Sequence, residues 1–111
     1  PRTLTFAEKE MNQLQEIQRW FLSQCNGEWE HSKGIKIETC DNPGWWVHIN
    51  LKGTPLANKH FPPISKGISA DKMKTEADWL HCEVNNQMFD AAGDASKLET
   101  ILSTFLEWAK T

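Results

Sequence analysis

Residues 25–51 read CNGEWEHSKGIKIETCDNPGWWVHINL, and how this stretch is read decides the fold. Asn26-Gly27 is a pair that ends a helix or makes a tight turn, since both residues tolerate a positive φ. Two runs then alternate apolar and polar residues, Ile35-Lys36-Ile37-Glu38-Thr39 and Val47-His48-Ile49-Asn50-Leu51. A period of two marks a strand with one buried face. Between the runs lie four turn formers in succession, Asp41-Asn42-Pro43-Gly44. The stretch therefore predicts the central hairpin of a sheet. Residues directly opposite in an antiparallel pair share a face, so the two apolar sets must oppose each other. The expected pairs are Ile35 with Leu51, Ile37 with Ile49 and Thr39 with Val47. Lys36 then meets Asn50, Glu38 meets His48 and Cys40 meets Trp46 on the opposite face. The connection should be of odd length, over 41–45, or contain a bulge. Glu28-Trp29-Glu30-His31 also alternates and predicts a short edge strand, turned back by Ser32-Lys33-Gly34.

Working outward, Thr5-Phe6-Ala7-Glu8 has the form of a capping box. Met11, Leu14, Ile17, Phe21 and Cys25 recur at helical spacing, which predicts a helix over 6–25 with Trp20 at the edge of its stripe. Prolines and glycines break the segment 52–77 into irregular chain, with a short extended piece expected over 64–68. Residues 79–84 and 87–91, separated by Asn85-Asn86, read as a second hairpin. Its register puts Leu80, Cys82, Val84, Phe89 and Ala91 on one face and Trp79, His81, Glu83, Met88 and Asp90 on the other. Ser96-Lys97-Leu98-Glu99 is a second capping box. It opens a helix whose stripe is Leu98, Ile101, Leu102, Phe105 and Ala109. Two apolar helix stripes and one apolar sheet face imply an α+β domain. Its mainly antiparallel sheet has four to six strands, with the N- and C-terminal helices packed on one face.

The totals narrow the function classes. A chain of 111 residues is one domain, 1–111, with enough length for its own core. A net charge of −3 argues against nucleic acid as the main partner and suits a basic protein partner. Cys25, Cys40 and Cys82 are odd in number and scattered, which points to a reducing cytoplasm rather than a disulfide framework. No apolar run approaches a membrane span, and the start carries no charged-then-apolar leader. The thiols and the four histidines show no metal-ligand spacing, and no phosphate loop or nucleophile elbow occurs. Metal, cofactor and catalytic residues are therefore expected to be none. A competing reading is a small hydrolase or metal-dependent enzyme using histidines and glutamates of the outer sheet face.

There are six tryptophans and no tyrosine. The registers place Trp46 and Trp79 on the face away from the helices, beside Glu38, His48, His81, Glu83 and Asp90. An aromatic cluster rimmed by carboxylates has the composition of a protein-binding surface. The alternative is that 52–77 folds over this face and buries the tryptophans.

The run WEHSKGIKIETCDNPGW, residues 29–45, resembles the signature of the immunity protein 53 family of bacterial polymorphic toxin systems. The likeness continues through 18–24, 49–51, the 79–84 strand, the Gly93 turn and the helix containing Trp108. At Cys40, Trp46 and His81 the sequence departs from the family pattern. The resemblance implies a single immunity-protein-like domain, a non-enzymatic cytoplasmic antidote that binds a cognate toxin domain. Its motif residues read as architecture: Trp29, Glu30, Gly34, Asp41, Asn42, Pro43, Gly44 and Trp45. Specificity would then lie in Glu38, Trp46, His48, Trp79, His81, Glu83 and Asp90 on the outer face, or in 52–77.

Overall fold

Both alternating runs fold as strands, but their pairing is two residues away from the expected register. A computed structural model of the chain describes residues 12–41, 43–68 and 77–111. In chain order these form α1 (Gln13–Gln24), α2 (Trp29–Ser32), β1 (Ile35–Cys40), β2 (Gly44–Asn50), β3 (Ile64–Lys66), β4 (Leu80–Asn85), β5 (Met88–Asp94) and α3 (Leu98–Lys110). The strands make one antiparallel sheet in the order β1-β2-β5-β4-β3. With the N- and C-terminal helices this is the α+β arrangement the sequence implies.

In the central hairpin Ile35 lies opposite Ile49, Ile37 opposite Val47 and Glu38 opposite Trp46. The expected pairs Ile37–Ile49 and Glu38–His48 do not form. Gly44 is the cause. It belongs to β2 and pairs with Asp94 of β5, so close that a Cβ would run into the Gly93 carbonyl. Only a residue without a side chain fits there. β2 therefore starts at Gly44, and the odd connection shrinks to residues 41–43. A shift of two residues leaves every side chain on its original face.

The β4–β5 turn is Asn86-Gln87, both at positive φ (53° and 59°), one residue later than expected. Two positive φ values are what a tight hairpin with right-handed strand twist requires. The faces are again unchanged: Leu80, Cys82, Phe89 and Ala91 are buried, and Val84 packs against them.

α1 begins later than the apolar stripe suggested. Asn12 is extended, and Asn12 and Gln15 exchange side-chain-to-amide hydrogen bonds in a capping box. The Thr5–Glu8 box lies outside the described residues. Ile17 is buried and Trp20 partly so, whereas Leu14 of the expected stripe is 58% exposed.

Residues 29–32 form a helical turn, not an edge strand. The Asn26 side chain accepts from the amides of Glu28 and Trp29, while the Glu30 carboxylate accepts from the amides of Asn26 and Gly27. These reciprocal bonds satisfy the free amides of the turn, which an edge strand here would have left to solvent. Hydrogen bonds from the amides of Glu30 itself, Asn26 and Gly27 hold the Glu30 carboxyl below its ordinary range.

The core lies between the sheet and the helices. Ile101, Leu102 and Phe105 of α3 meet Val47, Ile49, Cys82, Phe89 and Ala91, and Leu106 and Trp108 are also buried there. Segment 52–63 closes the same side rather than the outer face. Leu56 and Phe61 enter the core, the Trp108 indole donates to the His60 carbonyl, and Lys59 Nζ donates to the carbonyls of Trp108 and Thr111 at the end of α3. Favourable cation contacts with the last carbonyls of a helix are expected from its dipole. β1 reaches beyond this cover. Ile37, expected in the core, is 40% exposed on β1, an edge strand that pairs only with β2 among the described residues.

Candidate functional site

The face away from the helices is a grid set by the registers of β1, β2, β5 and β4. One row across the strands is Lys36, His48, Asp90 and Glu83; the next is Glu38, Trp46, Ala92 and His81. Alternation places these side chains outward, because their strand neighbours carry the core. His48 Nε2 lies 3.1 Å from Asp90 Oδ1, and His81 Nε2 lies 3.5 Å from Glu83 Oε1. Trp46 stacks on His48, its ring inclined by 22° with centroids 6.3 Å apart, and remains 46% exposed. An indole this open, held from one side by an imidazole, can anchor a partner without first being uncovered. Lys36, expected on this face beside Asn50, lies opposite His48 instead.

The structure thus brings Glu38, Trp46, His48, His81, Glu83 and Asp90 together. Trp79 is not among them. It precedes β4, is only 8% exposed, and packs against the backbone of Gly67. Alternation alone predicts an outward, open side chain here; the structure buries it, with Gly67 lying against its Cα and Cβ.

What holds Trp79 is Asp94, whose role the sequence reading missed. The Asp94 carboxylate accepts from the amides of Trp79 and Ser96, the Ser96 hydroxyl and Lys97 Nζ, and Lys97 also pairs with Asp78. The predicted capping box at Ser96 is absent, because Ser96 donates to Asp94 and the N-cap of α3 is Lys97 with no side-chain cap. The spacing Asp-x-Ser, a common Asx turn, was the available signal. Lys97 first, then Ser96 and the amide of Trp79, hold the Asp94 carboxyl far below its ordinary value of 3.8. As pH falls, the unfolded chain takes up this proton before the folded one. The stabilisation is therefore complete above about pH 4 and is lost as pH drops towards the depressed value. Asp94→Asn is expected to lower the melting temperature at pH 7 and to flatten its fall between pH 5 and pH 2. Melts of both proteins across that range check this.

Neither outer-face histidine is hydrogen-bonded to a Ser, Thr or Cys side chain among the described residues, and no group of His, Cys, Asp and Glu there could hold a metal. Of the thiols, Cys25 donates to the Phe21 carbonyl, and Cys82 is fully buried with its pKa pushed up to about 12 by desolvation. A thiol held protonated in this way is a weak nucleophile.

The motif residues lie elsewhere. Trp29 is buried, with its indole donating to the Asn50 carbonyl at 3.2 Å. Gly34, at φ +85°, turns the chain into β1. The Trp45 indole donates to the Ala95 carbonyl, tying β2 to the approach to α3. Asp41 and Pro43 are exposed in the connection, and Asn42 lies outside the described residues.

Over the described residues, fold and face together define a two-layer α+β arrangement with helices on one side of the sheet and Trp46 open on the other. The model of the immunity protein 53 family matches residues 14–110, and the chain belongs to that family. Comparison with curated proteins and with solved structures gives no significant match.

Proposed function

We propose that this protein acts as the antidote of a bacterial polymorphic toxin system, binding a cognate toxin domain in the cytoplasm and neutralising it by occupancy rather than catalysis. Family membership supports an immunity protein. The observation that carries the binding site is Trp46, which is exposed on the outer sheet face among Glu38, Glu83 and Asp90. An acidic face with an aromatic centre suits the basic cleft of a toxin that acts on nucleic acid. Its carboxylates would steer encounter, and the indole would slow release.

The test uses the purified protein and the toxin domain encoded beside it. Trp46→Ala is expected to weaken binding about 30-fold, or ~2 kcal/mol, through faster dissociation and with an unchanged melting temperature. Glu83→Lys should act on the association rate and its salt dependence. If Trp46→Ala and His81→Ala both keep full affinity, the outer face is not the site, and the segment 52–77 becomes the alternative.

A further inference from the structure

The free edge of the sheet carries a second surface. Among the described residues β1 pairs only with β2, while the opposite edge strand, β3, has just three residues. The direction of β1's backbone groups follows from one bond: the Asn50 amide donates to the Gly34 carbonyl. Gly34 and Asn50 are therefore a hydrogen-bonded pair. Alternation then turns the amides and carbonyls of Lys36, Glu38 and Cys40 towards β2, and those of Ile35, Ile37 and Thr39 towards the open edge.

The sequence on that edge is complementary to itself when reversed. Inverting Ile35-Lys36-Ile37-Glu38-Thr39 about Ile37 sets Lys36 against Glu38, Glu38 against Lys36, and Ile35 against Thr39. We propose that two copies of this chain dimerise by antiparallel pairing of their β1 strands, with the two-fold axis at Ile37.

The open-edge residues supply what this pairing needs. Ile37 faces Ile37, and Ile35 faces Thr39 on either side, as hydrogen-bonded pairs with two N–H···O bonds each. Lys36 and Glu38 fall at the non-bonded positions, where side chains approach most closely, and form the same ion pair twice on the outer face. On the other face the exposed Ile37 gains an apolar neighbour, its own counterpart. Charged residues on an edge strand ordinarily discourage pairing. Here a parallel in-register copy would indeed set Lys36 against Lys36, whereas the two-fold arrangement matches every charge. The inference stands on the edge strand alone and is independent of toxin binding. It would join the two outer faces into one surface carrying both Trp46 side chains.

The test is sedimentation analysis of the full chain over micromolar to millimolar concentration. The wild type is expected to dimerise reversibly. Lys36→Glu and Glu38→Lys should each weaken self-association about tenfold or more, since each sets like charges opposite one another twice. Mixing the two single variants should produce a one-to-one heterodimer, and the double reversal should restore the homodimer. Both positions are exposed, so circular dichroism should show the fold unchanged. A wild type that stays monomeric at every concentration overturns the proposal. So does a dimer indifferent to both reversals.

Discussion

Phe105→Ala is expected to cost about 3–5 kcal/mol, the usual penalty for deleting a fully buried phenylalanine. Phe105 has no exposed surface, and its ring makes edge contacts with Trp20 at 4.9 Å and Phe89 at 5.1 Å and a tilted one with Trp108 at 6.0 Å. These rings belong to α1, β5 and α3, so Phe105 is where both helices and the sheet meet. Three sides of the cavity left by alanine are stiff aromatic groups, which cannot collapse far into it. For a domain of this size the loss corresponds to a melting temperature lower by about 12 °C or more. A variant melting within a few degrees of the parent would show that α3 does not dock through this residue.

Trp29→Ala is expected to be comparably severe, about 3–5 kcal/mol, and Trp29→Phe distinctly milder. Trp29 is 3% exposed and packs against Trp20 and Phe21, both at 5.7 Å, outside the main core. Phenylalanine keeps much of that packing but removes the indole donor to the Asn50 carbonyl, a loss of about 1 kcal/mol. Urea unfolding of both variants measures the difference. Equal losses would mean that the hydrogen bond, and not the packing, holds α2 to the end of β2. Because Trp29 lies off the outer face, the folded Trp29→Phe protein should bind the toxin domain with unchanged affinity. That outcome would separate architecture, at Trp29, from recognition on the outer face.

The order of these effects follows from burial. Trp29 and Phe105 act on folding itself, whereas Trp46, left open to solvent, is expected to act on binding with little effect on the melting temperature. Tryptophans in one small domain thus divide by environment, and composition alone does not divide them.

How much of this was legible without coordinates differs from residue to residue. The faces of β2, β4 and β5 followed from alternation, and every core residue named on them is on the helix side. Their registers did not follow, because a pattern of period two is unchanged when a strand slides by two residues. The close approach of Gly44 to Gly93, far apart in the chain but in neighbouring strands, decides the central hairpin. The outer face was legible for Glu38, Trp46, His48, His81, Glu83 and Asp90 for the same reason of parity. Trp79 differed because it precedes β4, where its amide is held by the Asp94 carboxylate fifteen residues on, and alternation along the strand does not extend to it.

The sequence by itself therefore determined the class of fold, the helix-facing side of the central strands and the amphipathic stripe of α3, since each depends on a local period that the chain repeats. Tertiary structure alone decided the strand registers and the exposure of Ile37. It also decided which tryptophans are buried. Each of these depends on groups distant in the chain competing for the same amides, carbonyls or space, and no local period records the outcome of that competition.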